Sequence, residues 1–432
     1  MSKKCMCPER ILPVLGRAAP GVQSHKTVST AWLDMDLNSR ILSTLLTTKF
    51  SWGNIPSSIK KYINKYKLTA IKQDRDNSLD GLRGIAVLLV FLSHLAQYGI
   101  HPIPGFSFVG AGKYGVYLFF TLSAFLLATP FFGHGRTPGP GFLLQYALRR
   151  VLRIYPLYTV VLISYWLISR AGNQTLVIPI KTEEILTHLI LQQGKDLLWA
   201  IPVEFTFYIV LPFMVLAVMA ADQLKKGAGF LLIAGIFLMV PVWWPAGDFP
   251  PNAISLWRYL QLFIMGIMLA QLLASDRITV FAKSYSTILG LLGWLAFIVM
   301  MCTLPHVWGL ITSEAVGTGH FHQDYWLYAV IWGLVLIANH ADGLGMKHLL
   351  SWQPLILIGK GSFSIYLLHI AIVRTTLNFF PEVNSWIHFV IILFATSVLA
   401  LISYRAIEKP MYQLAHSRIN FPGSKVRSSD IT

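Results

Sequence analysis

An arginine and a histidine stand eleven residues apart where Asp80-Gly81-Leu82-Arg83-Gly84-Ile85-Ala86 runs through apolar residues to Ser93-His94. On a helix this spacing is three turns plus about 20°, so Arg83 and His94 share one face about 16 Å apart. The guanidinium suits an anion, and imidazole is the side chain whose ordinary pKa fits general-base work at neutral pH. The plainer reading keeps His94 as a hydrogen-bond partner of a neighbouring helix. Arg150 and Arg153 lie one helical turn apart, ahead of Ile154-Tyr155-Pro156. Both forks could close on one phosphate or pyrophosphate, with Arg83 joining them. Basic residues also collect at cytoplasmic helix ends for reasons of topology alone. A carboxylate follows in the segment from Trp199 to Tyr208, where Glu204 and Tyr208 share a face and Pro202 and Pro212 loosen the helix. Glu204 could hold the tautomer of His94, as the carboxylate of a triad does, or it could pair with an arginine or bind an acceptor. His369, in Ile365-Tyr366-Leu367-Leu368-His369, has two readings, a lining group of the same cavity or a structural hydrogen bond.

The elements that must position these groups are membrane helices. The chain has 432 residues, 55% of them hydrophobic and 12% charged, far from soluble averages. Crossing about 30 Å of hydrocarbon takes roughly 20 apolar residues. Runs of that kind centre near residues 82–99, 114–131, 154–169, 197–219, 229–245, 256–274, 285–304, 325–339, 353–374 and 386–404. The expected fold is therefore an all-α integral membrane protein, a bundle of about ten transmembrane helices. A charge inside a span costs about 2.5–3.5 kcal/mol on insertion scales, so Arg83, His94 and Glu204 are expected to face a cavity. Lys and Arg mark the cytoplasmic side. Arg136, Arg149, Arg150 and Arg153, then Lys225 and Lys226, Arg277 and Lys283, Lys347, and finally Arg405, Lys409, Arg418, Lys425 and Arg427 fall in alternate gaps. The stretches 100–112, 246–255, 304–324 and 375–385 hold none; only 170–195, with Arg170, Lys181 and Lys195, dissents. Both termini are thus expected in the cytoplasm, with the protein in the cytoplasmic (inner) membrane if the source is bacterial.

The formal charge of +16 is met by this topology and by anionic inner-leaflet lipid, without nucleic acid. Three cysteines, Cys5, Cys7 and Cys302, make neither a disulfide framework nor a zinc site, and no metal is expected. Cys5 and Cys7 beside Lys3 and Lys4 are either lipid attachment points or part of a disordered start. Residues 1–75 read as a basic cytoplasmic extension, in which Arg40 to Lys67 either lies on the inner leaflet as a helix or is disordered. Residues 76–414 make the polytopic unit and 415–432 a cytoplasmic tail. No secretory signal precedes the first span, and no internal repeat marks an inverted-repeat transporter.

From Ser78 to Leu414 the chain resembles the membrane acyltransferase-3 family, the O-antigen and exopolysaccharide acetylase group. Arg83 and His94 match its Arg-x10-His motif, and Arg150-x-x-Arg153 its Arg-x-x-Arg motif. Gly115-Val116 with Phe119 to Phe125 resembles the second-helix signature, and Trp199 to Pro212 the Trp…Glu…Phe-Tyr…Pro segment. Phe263-x-x-Gly266, Gly359 to His369 and Glu408-Lys409-Pro410 follow in order. Ala124 stands where glycine is common, Pro202-Val203 is a variant, and the first 75 residues have no counterpart. The resemblance is to stand-alone members, in which the membrane unit is expected to perform the whole transfer. It implies transfer of an acyl group, usually acetyl, from cytoplasmic acyl-CoA to a hydroxyl of a cell-envelope or lipid-linked glycan. Arg83, Arg150 and Arg153 would then hold coenzyme A phosphates. His94 would deprotonate the acceptor or carry the acyl group itself, with Glu204 and Tyr208 assisting. The rival readings are a multi-span exporter of glycans, and the same transfer to a non-glycan acceptor. In the longest outer loop His306, Trp308, Glu314, His320, His322 and Asp324 either contact sugar or are solvated.

Overall fold

The computed structural model describes residues 76–133, 138–250, 252–314, 317 and 321–417. Residues 1–75 with Cys5, Cys7 and the Arg40 to Lys67 stretch lie outside the described residues, as do Arg136, His320, Arg418, Lys425 and Arg427. Every regular element among the described residues is a helix. In chain order these are α1 (Asn77–Gln97), α2 (Ala111–Phe132), α3 (Pro140–Arg170) and a short connecting α4 (Thr182–Leu189). A 3-10 turn, Asp196–Trp199, leads into α5 (Ala200–Leu224), followed by α6 (Ala228–Trp243) and α7 (Leu256–Leu273). Then come α8 (Asp276–Ser284), α9 (Ser286–Cys302), α10 (Pro305–Thr312), α11 (Tyr325–His340), α12 (Met346–Leu350), α13 (Gln353–Lys360) and α14 (Ser362–Phe379). Last are α15 (Ser385–Ser403) and, beyond a π turn at Tyr404–Glu408, α16 (Lys409–Ser417).

Among the described residues, six stretches are long and apolar enough to cross a membrane, and nine are if each bent pair is one span. The bent pairs are α8 with α9 (81°), α11 with the Gly343–Leu350 segment that contains α12 (116°), and α13 with α14 (76°). The ten apolar runs of the sequence therefore exceed the helices that meet the length criterion. The reason is rise: the 16 residues of α6 reach about 24 Å at about 1.5 Å each, short of the hydrocarbon thickness. Phe213, Leu231 and Phe394 are largely exposed, as a surface in contact with lipid tails requires. The protein is a multi-pass membrane protein.

The inner layer is α1, α2 and α7, with 67%, 61% and 67% of their apolar windows buried, against 22% for the segment containing α15. Lipid tails are as apolar as leucine, so helices in a bilayer associate through close packing at small residues. A Cβ on Gly81 would lie 1.8 Å from the Leu350 carbonyl oxygen, and one on Gly359 would lie 1.7 Å from that of Asp80. Between α1 and α2, a Cβ on Gly115 would stand 2.2 Å from the Ala86 oxygen. These contacts set α1 against α12, α13 and α2, and with it the level of Arg83 and His94. Phe120 of α2 stacks on Phe263 of α7 at 4.7 Å between centroids, and Phe263 on Phe207 of α5 at 4.0 Å.

Candidate active site

His94 lies near the end of α1 and opens on a cavity of about 460 Å³. Its Nδ1 is 2.8 Å from Nε2 of His369 on α14, and His369 Nδ1 is 2.9 Å from the Ile365 carbonyl oxygen. A carbonyl only accepts, so the bonding network assigns the proton of neutral His369 to Nδ1 and leaves its Nε2 as an acceptor. His94 must then donate through Nδ1, which leaves a lone pair on Nε2. The rings stack at 5.0 Å between centroids, and His369 is fully buried. A relay from backbone to His369 to His94 thus supplies what a triad carboxylate would supply, a fixed tautomer and orientation.

The lining of this cavity mixes polar groups with the apolar Val90, Val116 and Leu197 and the aromatic Trp199 and Tyr366. Ser93 and Gln97 of α1, Lys113 of α2, Asp196 and Trp199 of the turn before α5, Asn252 and His322 all line it. The Lys113 ammonium stands 4.2 Å from the centroid of the Trp199 ring and donates to Asn252 Oδ1. Asp196 pairs with Arg374 at 3.4 Å, and Arg374 also donates to Tyr98 Oη at 2.7 Å and the Val177 oxygen at 2.6 Å. His322, in the turn before α11, donates through Nε2 to the Gly110 oxygen at 3.0 Å. Burial foremost, and then the Lys113 charge, hold its pKa down to about 4, so the ring is neutral at pH 7.

A second, tighter cavity of about 80 Å³ adjoins the first, and Val116 and Tyr366 line both. Arg83 of α1, Ser123 of α2, Arg153 of α3, Glu204 and Tyr208 of α5, and Ser362 of α14 line it. Glu204 Oε1 accepts from Ser123 Oγ at 2.8 Å and from the Tyr208 hydroxyl. Arg83 Nη1 is 3.2 Å from Asp80 Oδ1. Arg83 and Arg153, from different helices, therefore meet at one cavity as their types suggest. Arg150 does not line it, though its charge reaches Glu204, Tyr208 and Tyr146.

The structure bears on two readings that the sequence leaves open. Glu204 and Tyr208 bond each other in the Arg83 cavity and not His94, whose ring partner is His369. The five residues from Trp199 to Glu204 descend about 7.5 Å, which takes Glu204 from the level of one cavity to that of the other. His322, read as either sugar-binding or solvated, forms part of the cavity wall. Trp308 of the same loop packs on Phe321 at 4.8 Å. Sequence reasoning missed Lys113 altogether. It follows the basic-free gap 100–112 by one residue, just as Arg258 and Arg374 border the gaps 246–255 and 375–385. A cation at a helix end reads as topology, and only the neighbouring Trp199 and Asn252 show that it lines a cavity.

His94 thus opens on the larger of two cavities that share Val116 and Tyr366, and Arg83, Arg153 and Glu204 line the smaller. Residues 76–405 match the family model described as the acyltransferase domain, the acyltransferase-3 type, and the chain belongs to that family. It is similar to the O-acetyltransferase OatA of Staphylococcus aureus strain NCTC 8325, with 25% identity over 369 residues, 77% of this chain and 56% of that protein. It is also similar to SAR0937 of S. aureus strain MRSA252, a protein named only provisionally as an O-acetyltransferase, with 23% identity over 376 residues, 81% of this chain and 59% of the relative. The chain thus spans a little over half the length of these relatives.

Proposed function

We propose that this protein is a membrane O-acyltransferase that moves an acetyl or similar acyl group from acyl-CoA to a hydroxyl of a cell-envelope or lipid-linked glycan. One observation carries the reading: His94, its tautomer held by His369, presents a free Nε2 lone pair to the larger cavity beside a smaller one lined by Arg83 and Arg153. The donor enters the smaller cavity, where the two guanidiniums, with the charge of Arg150 behind, suit its phosphates. Glu204, Ser123 and Tyr208 offer hydrogen-bonding partners to the amides of the pantetheine arm. The acceptor enters the larger cavity. His94 Nε2 takes the hydroxyl proton as the oxygen attacks the acyl carbon. The carbon–sulfur bond then breaks, and the leaving thiolate recovers the proton from the imidazolium.

This reading fits about ten spans, in which α6 and each bent pair cross the bilayer, with both termini in the cytoplasm and the Arg83 cavity facing the donor pool of an inner membrane. Residues 76–414 act as the transferase unit, with 1–75 and 415–432 as cytoplasmic extension and tail. The test is mass spectrometry of ester-linked acetyl on envelope glycans in cells lacking the protein, then supplied with wild type or His94→Ala at matched expression. Wild type should add a mark, and His94→Ala should lower its rate by about 10²–10⁴-fold. Full restoration by His94→Ala would remove the base role. No mark from wild type, with glycan export altered, would return the exporter reading.

A further inference from the structure

We infer that the acceptor carries a negative charge, a carboxylate or a phosphate near the hydroxyl to be acylated, and that Lys113 holds it in the His94 cavity. What happens to the hydroxyl rests on the transferase reading, whereas the charge argument stands on the cavity alone. Among the described residues Lys113 makes no ion pair: its ammonium meets the neutral Asn252 amide and the Trp199 face. The nearby Arg258, 5% exposed, donates to the Tyr325 hydroxyl and to the Phe249 and Pro250 carbonyls, again with no carboxylate. The lining carboxylate, Asp196, pairs with Arg374. Lys113 therefore lines the cavity with no anionic partner among the described residues, where burial of an unpaired ammonium is costly and an arriving anion relieves that cost. An acceptor seated there with its anion on Lys113 is within the same cavity as His94.

The test compares three probes on the full-length chain in nanodiscs: methyl β-glucuronide, glucose 6-phosphate and methyl β-glucoside, with binding read by saturation-transfer NMR. One anionic probe should bind about tenfold or more tightly than the neutral glucoside, and its identity separates carboxylate from phosphate. Lys113→Gln should abolish that ratio and Lys113→Arg should keep it. Should Lys113→Gln fail to fold, the wild-type ratio together with Lys113→Arg decides. Equal binding of all three probes, binding of none, or an unchanged ratio in folded Lys113→Gln overturns the inference. Transfer from acetyl-CoA is measured on the same probes. Charge-selective binding without transfer keeps the anion site and removes the transferase reading, and transfer without charge preference does the reverse.

Discussion

What holds Nδ1 of His94 decides whether that ring can act as a base. Its holder is His369, itself anchored to the Ile365 carbonyl within its own helix. As a positioning residue, His369 should affect the chemical step and not donor binding, because Arg83 and Arg153, proposed to hold the donor, line the other cavity. His369→Ala is expected to lower kcat by about 10²-fold with the KM for acetyl-CoA unchanged, since a base freed to the wrong tautomer loses its function. His369→Gln, whose side-chain oxygen can accept from Nδ1–H, should recover part of the rate. Equal losses in both variants, or a raised KM alone, would make His369 a packing residue. Of the readings left open for Glu204, contact with His94 is absent for a reason of level. Glu204, a helical turn and more along α5 from Trp199, bonds Ser123 of α2 and Tyr208 of its own helix.

Among the elements, α4 shows how a segment without chemistry shapes the larger cavity. His188 donates through Nδ1 to the Glu184 carbonyl at 2.7 Å and accepts at Nε2 from the Lys195 backbone at 3.3 Å, which brings in the turn bearing Asp196 and Trp199. Glu184 in turn accepts from the Lys181 backbone N–H at 3.0 Å and pairs with Lys195 at 3.5 Å. The Lys181 bond foremost, against a smaller opposing effect of burial and with help from Lys195, holds the Glu184 carboxyl below its ordinary 4.5. A depressed carboxyl pKa stabilises the fold fully above the ordinary value, and the gain disappears as pH falls through the folded value. Glu184→Gln is therefore expected to cost about 0.3–1 kcal/mol at pH 7, with wild type and variant converging as pH drops below 4.5. Thermal unfolding in detergent across that range checks it; a gap independent of pH would mean that the carboxylate charge contributes nothing.

At the scale of the whole molecule, the proposed transfer needs the two cavities to open to opposite sides of the membrane. The distribution of Lys and Arg predicts that α1 has its Arg83 end inward and its His94 end outward. A fluorescent reporter fused to the C-terminus should then be cytoplasmic. A cysteine placed at Ile103, half exposed beyond the end of α1, should react with an impermeant maleimide added to intact cells. Labelling only after the membrane is opened, or an exported C-terminus, would reverse the assignment and set the proposed acyl-CoA cavity on the wrong side. The count of spans was less legible than their existence, because hydropathy records apolar runs and not the bends of 81°, 116° and 76°.

The sequence by itself determined which solvent the chain occupies and which side chains are too costly to face it. Preference for lipid or water is a property of each residue and its near neighbours, so Arg83, His94, Arg153 and Glu204 could be picked out along the chain. Only the tertiary structure decided that these groups divide between two cavities, and that His94 meets His369, 275 positions away, and not Glu204. Which helix faces oppose each other depends on backbones brought close at Gly81, Gly115 and Gly359 and on helices bent near Gly361. No local pattern encodes that arrangement, because each contact exists only once its distant partner is in place.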